Sequence, residues 1–280
     1  MQLKRAPVAV LRPYVRDLWF SDRRAPDACA KIENVLPTGD MHLVVRLSVE
    51  PVRLVDRGDA NAVHSLGYCV VGGARSSWYC KEVMRRPARS IGVQLKPGAA
   101  EALFGMPASD LAERHVALED LWGRLATSIR ERLLEAGEPE PQLQELEAIL
   151  SERLPVIRGL HPAVADALDQ FAISCNIREA VRRSGYTHRH FVALFRRSVG
   201  LTPKVYTRIL RLQRVLAYCS GCPGKNSRSP SWAEVALHAG YSDQAHFNRE
   251  FREFSGVTPE YYRRAATTAS HHVATGSMSP

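Results

Sequence analysis

Residues 191–208 read F-V-A-L-F-R-R-S-V-G-L-T-P-K-V-Y-T-R, and residues 247–264 read F-N-R-E-F-R-E-F-S-G-V-T-P-E-Y-Y-R-R. At this offset of 56, eight of 18 positions are identical: Phe191/Phe247, Phe195/Phe251, Arg196/Arg252, Gly200/Gly256, Thr202/Thr258, Pro203/Pro259, Tyr206/Tyr262 and Arg208/Arg264. Just upstream, Gly185-Tyr186-Thr187 answers Gly240-Tyr241-Ser242. Two copies are too few for a solenoid. Each copy reads instead as a short helix, a glycine turn and a second helix. The short helices begin near Ile177 and Trp232, with apolar residues recurring at i, i+3 and i+4. Gly185 and Gly240 supply the turn, where a left-handed backbone costs little only for glycine. Thr187 and Ser242 are read as N-caps of the next helix. That helix buries Phe191, Leu194 and Phe195 in one copy and Phe247 and Phe251 in the other. Gly200 and Gly256 end it, and Thr-Pro starts another.

A short helix, a glycine turn and an N-capped helix with a polar, basic outer face is the helix-turn-helix pattern, whose second helix enters the major groove. The helix from Pro203 to residue 219 would span about 25 Å. It would hold the two recognition helices about one DNA turn apart on one face of the duplex.

Charge follows the repeat. The 280 residues carry a net +9, but residues 1–159 hold 22 basic and 21 acidic side chains, whereas residues 160–280 hold 16 and 8. Fourteen of those 16 cations are arginine, whose planar fork suits phosphates and guanine edges.

The tandem pattern with G-Y-S-D-Q-A-H-F-N-R-E-F-R-E-F-S-G-V-T-P-E-Y-Y-R resembles the DNA-binding domain of the AraC family of bacterial transcription regulators, over about residues 160–265. One departure is the turn-rich stretch from Ser220 to Pro230, longer than the family usually has. The resemblance implies base contacts from Arg189, Val192 and Ala193 in the first recognition helix, and from Gln244, Ala245, His246, Asn248 and Arg249 in the second. Arginines suit guanine, Gln244 or Asn248 adenine, and Val192 or Ala193 the thymine methyl. Arg196, Arg197, Arg252 and the Ser242 cap suit phosphates, although Arg196 and Arg252 would equally serve as ties to nearby carboxylates.

Residues 1–155 change texture. Strand-like runs at 43–49, 52–55, 66–71, 77–80 and 91–95 are separated by Arg57-Gly58-Asp59-Ala60-Asn61, Gly72-Gly73 and Pro97-Gly98. They predict a small antiparallel sheet or barrel. Two apolar stripes follow, Leu118, Leu121, Leu125, Ile129, Leu133 and then Leu143, Leu146, Ile149, Leu150, Leu154, as expected of a dimerising arm. Leu36-Pro-Thr-Gly39, His42-Leu-Val-Val and Ile91-Gly-Val-Gln-Leu-Lys-Pro-Gly98 resemble the sensory domain of one AraC subgroup, which implies a cupin-like barrel holding one small effector. Candidate lining residues are His42, Arg46, Tyr68, Trp78 and Tyr79, with Trp19 and Gln94; most such aromatics serve a core.

The expected fold class is α+β: an N-terminal small β-barrel with dimerising helices at 1–155, then an all-α domain of two helix-turn-helix units joined by a linker helix at 160–265. A small, polar, disordered tail is expected at 266–280. The expected partners are double-stranded DNA, a small-molecule effector, a second copy of the chain as a homodimer, and RNA polymerase where the protein activates. No apolar run reaches the ~20 residues of a bilayer span, so no membrane partner and a cytoplasmic location are expected. Six sparse cysteines fit a reducing compartment.

An enzyme is not expected. The N-terminal half offers only His42, His64 and His115 with no H-x-H pair, and there is no serine elbow or phosphate loop, so no cofactor and no metal are expected either. Two alternatives stand beside the effector reading: an N-terminal half that only dimerises or binds proteins, and a thiol- or metal-responsive regulator using Cys219 and Cys222.

Overall fold

The runs of alternating residues become strands because one side of each is apolar. In the computed structural model, which describes residues 1–23, 32–57, 59, 61–83, 87–155, 159–220, 230–265 and 271–275, β1 (Gln2–Arg5), β2 (Val15–Arg23), β9 (Ala88–Leu95), β4 (Met41–Arg46), β7 (Cys69–Gly72) and β10 (His115–Ala117) form a six-stranded sheet in that order. β3 (Ile32–Val35), β8 (Tyr79–Glu82), β5 (Arg53–Val55) and β6 (Val63–Ser65) form a second sheet, whose outer edge is β11 (His272–Thr275), in the order β11-β3-β8-β5-β6. We call them the front and back sheets.

Side chains alternate across each sheet. On the front sheet, Leu43, Val45, Ile91 and Val93 are fully buried in the core shared with the N-terminal helices, while His42, Val44, Arg46, Ser90 and Gln94 face a cavity enclosed with the back sheet. The two sheets remain separate ladders among the described residues. The expected closed barrel is thus corrected to two facing sheets, because no strand pairing joins their edges. The α+β class stands.

α1 (Ala99–Phe104), α2 (Ala108–Leu111), α3 (Leu118–Trp122), α4 (Arg124–Glu135) and α5 (Pro139–Arg153) cover the other face of the front sheet. Leu118, Ile129, Leu133, Leu143, Leu146 and Leu150 are each at most 2% exposed. The stripes expected to dimerise are therefore consumed within the chain. A surface stripe and a core stripe have the same periodicity, and only the packing separates them. Leu125 and Leu134 stay exposed.

α6 (Pro162–Ile173), α7 (Ile177–Ser184), α8 (His188–Val199), α9 (Pro203–Ser220), α10 (Trp232–His238), α11 (Gln244–Ser255) and α12 (Pro259–Ala265) form the helical half. It is bound to the strands at several points. Asn34 Nδ2 donates to the Ser255 carbonyl at 3.0 Å, the Trp78 amide donates to the Phe254 carbonyl at 3.1 Å, and Gln213 donates to the Pro37 carbonyl at 2.7 Å. After α12 the chain returns to the back sheet. β11 pairs antiparallel with β3, His272 opposite Val35 and Thr275 opposite Ile32. The disorder expected of the tail does not extend to these residues: Val273 is fully buried, and strand pairing supplies the backbone partners that composition could not reveal. Residues 266–270 and 276–280 lie outside the described residues, as do 221–229 and, with them, Cys222.

β11 is also tied by charge. Glu33, 1% exposed, meets Arg23 at 3.1 Å, Lys81 at 3.1 Å and His272 at 3.1 Å. Burial opposes its ionisation, but the contact with His272 and the Lys81 and Arg23 cations outweigh it and hold the carboxyl well below its ordinary 4.5. A depressed carboxylate contributes stability that is complete above the unfolded value and is lost as pH falls below it. Acid denaturation from about pH 5 to about pH 3 should therefore be steeper in the wild type than in Glu33→Gln, as read by urea midpoints across that range.

Gly256 is pressed between the two halves. Its φ is +74°, and a Cβ there would lie 2.5 Å from the Trp78 ring and 2.9 Å from Asn34 Nδ2, whereas Gly185, at φ +70°, has open space around it. Gly185→Ala should cost about 1–2 kcal/mol for the left-handed backbone alone. Gly256→Ala should cost distinctly more, measured by urea unfolding, because the half-to-half contact must also give way.

Candidate nucleic-acid interface and effector cavity

Local capping sets both helix-turn-helix units. In the first, Asn176 Oδ1 accepts from the Glu179 amide at 3.1 Å to start α7, Gly185 closes it in the left-handed region, and Thr187 Oγ1 accepts from the His190 amide at 3.3 Å to start α8. In the second, Ser231 and Glu234 form a reciprocal capping box on α10. The cap of α11 is Asp243, whose Oδ1 accepts from the His246 amide at 2.7 Å. Ser242, expected to be that cap, instead bonds the Asp243 carboxylate at 3.0 Å. Two adjacent cap-type residues left the sequence pattern one position short, because the second copy carries one extra residue here.

Below these helices the phenylalanines pack against aromatic neighbours: Phe195 lies edge-on to Phe171 at 5.8 Å and to Tyr206 at 5.6 Å, and Phe247 stacks on Trp232 at 5.7 Å and tilts against Phe251 at 5.6 Å. With that face buried, Arg189, Ala193, Arg196 and Arg197 are exposed on α8, and Val192 is half-buried. On α11, Gln244, Ala245, Asn248, Arg249 and Arg252 are exposed and His246 is half-buried, its Nδ1 3.2 Å from Ser242 Oγ. Gln244, Asn248, Arg249 and Arg252 share one groove with Trp232 and Glu260.

Two ties were not foreseen. Arg208 of α9 reaches Glu250 at 2.8 Å and Glu253 at 2.5 Å, and Glu250 is 4% exposed. This clamp fixes the second recognition helix on the linker helix. The Arg208/Arg264 identity in the repeat pointed to it, but Arg264 contacts Glu260 on its own helix instead, at 3.6 Å. The other tie is Arg197, whose guanidinium donates to Glu101 of α1 at 2.6 Å, so a residue expected on phosphate is held by the N-terminal half.

The cavity between the sheets has a volume of about 410 Å³. Two glycines on the front sheet make room for its aromatic walls. A Cβ on Gly92 would sit 2.5 Å from the Trp19 ring, and one on Gly72 would sit 2.2 Å from the His42 ring. His42 is pushed down to about 4 by burial and by the His272, Lys81 and Arg75 charges, and its neighbour His115, at 5.6 Å, is pushed down to about 2 chiefly by burial, so both rings are neutral at pH 7. Of the candidate lining residues, His42, Arg46, Tyr79, Trp19 and Gln94 reach the cavity. Tyr68 and Trp78 do not. Tyr68 donates to the Val49 carbonyl at 2.8 Å, and Trp78 packs on Gly256 with the Arg57 guanidinium 4.6 Å above its ring. Sequence reading missed Lys81, His271 and His272, since nothing local signals that the chain end returns to this sheet. No group of three metal-binding side chains occurs among the described residues, and none of the described helices is long and apolar enough to cross a membrane.

Residues 180–265 match a helix-turn-helix domain family, and residues 3–117 match a domain of unknown function, DUF6597. The chain is similar to the transposon Tn10 TetD protein of Escherichia coli, 31% identical over 109 residues, covering 39% of this chain and 72% of TetD. Among solved structures it is similar to ToxT from Vibrio cholerae, at a TM-score of 0.46 and 8% identity over 88% of this chain and 98% of ToxT. It is also similar to the xylose-binding transcription activator xylR, at a TM-score of 0.31 and 18% identity over 55% of this chain and 40% of that one. The repeat, its capped helices and the TetD match together place the chain in the AraC family of transcription regulators.

Proposed function

We propose that this DNA-binding regulator is controlled by a small molecule held between its two sheets, and that it works as a homodimer in the cytoplasm, recruiting RNA polymerase where it activates. The observation that carries the effector reading is the position of the back sheet. Glu33, Lys81 and Tyr79 sit on its cavity side, while Asn34 and Trp78 engage the end of α11 from the other side. One sheet thus touches both the effector space and the second recognition helix. A ligand that favours one seating of this sheet shifts how the helix meets DNA, by no more than its difference in affinity for the two seatings.

On the DNA, the exposed faces of α8 and α11 read base edges through Arg189, Val192, Ala193, Gln244, Ala245, His246, Asn248 and Arg249, while Arg196, Arg252 and Ser242 meet phosphates. Arg197 joins them once it leaves Glu101. α9, 18 residues and about 27 Å long, sets the spacing between the two helices. The domain limits are 1–155 for the effector part and 160–265 for the DNA-binding part.

Arg249→Ala should weaken binding to the specific operator by about 1–3 kcal/mol while leaving binding to random duplex nearly unchanged, as read by fluorescence anisotropy. Equal losses on both would assign Arg249 to phosphate. Glu101→Gln, which releases Arg197, should tighten binding to any duplex and steepen the salt dependence by about one phosphate contact in anisotropy titrations over a range of salt.

A further inference from the structure

The described residues lining the cavity lie on strands, on loops between strands or, for His271, just before β11, and their charges do not cancel. Lys4 is paired with Asp17 at 3.0 Å, Asp40 with Arg16 at 2.6 Å and Glu82 with Arg53 at 3.5 Å, while Arg23 and Lys81 share the single carboxylate of Glu33. Arg46 is left over. It ends β4, is 8% exposed, and its Nε has no hydrogen-bond partner. No ion pair among the described residues includes it.

Burial and the nearby Arg23 charge both push its pKa down, against a smaller opposing pull from Glu50. A guanidinium in that position stays charged at neutral pH and pays for its desolvation without the return a partner would give.

The surroundings of Arg46 define what would satisfy it. Arg46 is opposite Ser90 on β9, and Gly92, two residues or about 7 Å further along the strand, lies beneath the Trp19 ring. Beyond it the walls are Val44, Leu54, Tyr79 and the neutral His42. One free planar fork at one end of an aromatic and aliphatic space matches a two-oxygen anion with an apolar body. Phosphate sites characteristically add a helix N-terminus or a nest of backbone N–H groups. Among the described residues the lining contains no helix terminus.

We propose that the cavity binds a small organic carboxylate, its two oxygens on Arg46 and its apolar body against Trp19, in a site walled on one side by His272 of the C-terminal strand. The proposal rests on the effector reading above and names the ligand class for that site. The carboxylate supplies the counter-charge that Arg46 lacks. Because β11 follows α12, the same wall belongs to the segment that continues from the second DNA-binding unit.

The test uses the full chain and benzoate, phenylacetate, cinnamate and octanoate, each beside its primary amide, in thermal-shift and calorimetric titrations. At least one carboxylate should bind saturably and its amide at least about tenfold more weakly, the worth of a charged hydrogen bond. Arg46→Met should abolish the preference for the carboxylate. It should also raise the melting temperature of the ligand-free protein, because an unpaired buried charge is replaced by an apolar chain of similar length. Amides binding as tightly as carboxylates would overturn the anion site and leave the effector cavity standing. Absence of binding in both series would overturn both. A ligand-free Arg46→Met that melts well below the wild type would overturn the proposal by showing that the guanidinium is structurally satisfied.

Discussion

The docking of Asn34 and Trp78 onto the end of α11 is the contact on which the arrangement of the molecule depends. It involves one side-chain hydrogen bond to the Ser255 carbonyl, one backbone bond to the Phe254 carbonyl, and a ring packed on a glycine that no other residue would replace without strain. Both carbonyls belong to the last turn of α11, where the helix leaves its own acceptors unsatisfied. The back sheet therefore finishes the helix. A change in the seating of this sheet reaches α11 through its C-terminus, while the opposite end carries the exposed Gln244 and Asn248.

Electrostatics is divided between the halves in a way that serves two tasks. The helical half carries the surplus arginines, and most stay in solvent, where they supply attraction to any duplex that salt will screen. Sequence preference has to come from the few side chains that reach base edges. In the strand half the near balance of charge conceals a local imbalance, since Asp17, Asp40, Glu33 and Glu82 around the cavity are paired with lysines and arginines while the buried Arg46 has no ion pair among the described residues.

The repeat was legible because helix caps, glycine turns and phenylalanine spacing are local: Thr187, Gly185, Gly200 and Gly256 all do what their positions imply. The strands were legible as strands for the same reason. What local pattern does not carry is who covers whom. The Leu118 to Leu133 stripe has one periodicity whether it meets a second copy or its own sheet, and only the three-dimensional packing shows that it meets its own. Trp78 and Tyr79 are neighbours in sequence but fall on opposite sides of the back sheet, so one reaches the helical half and the other the cavity. The return of residues 272–275 to β3 depends on partners more than two hundred residues away, and a polar, small-residue composition gives no sign of it.

These long-range placements decide how the helical half is held. Residues before α1 and after α12 meet in one sheet, so the helical half is held to the back sheet at both ends of its second unit: through Asn34 and Trp78 at α11, and through β11 after α12. The first unit is held separately, by Arg197 on Glu101 and by the Gly98 amide bonded to the Ser198 carbonyl. That unit has its own glycine contact: a Cβ on Gly200, which ends α8, would lie 3.1 Å from the Ala108 carbonyl oxygen of α2 and 3.4 Å from Ala74. What distinguishes the second unit is that the sheet docking it is also a wall of the cavity. Under the proposed control by a ligand, a change in the seating of this sheet would therefore alter the contacts of α11 with DNA before those of α8.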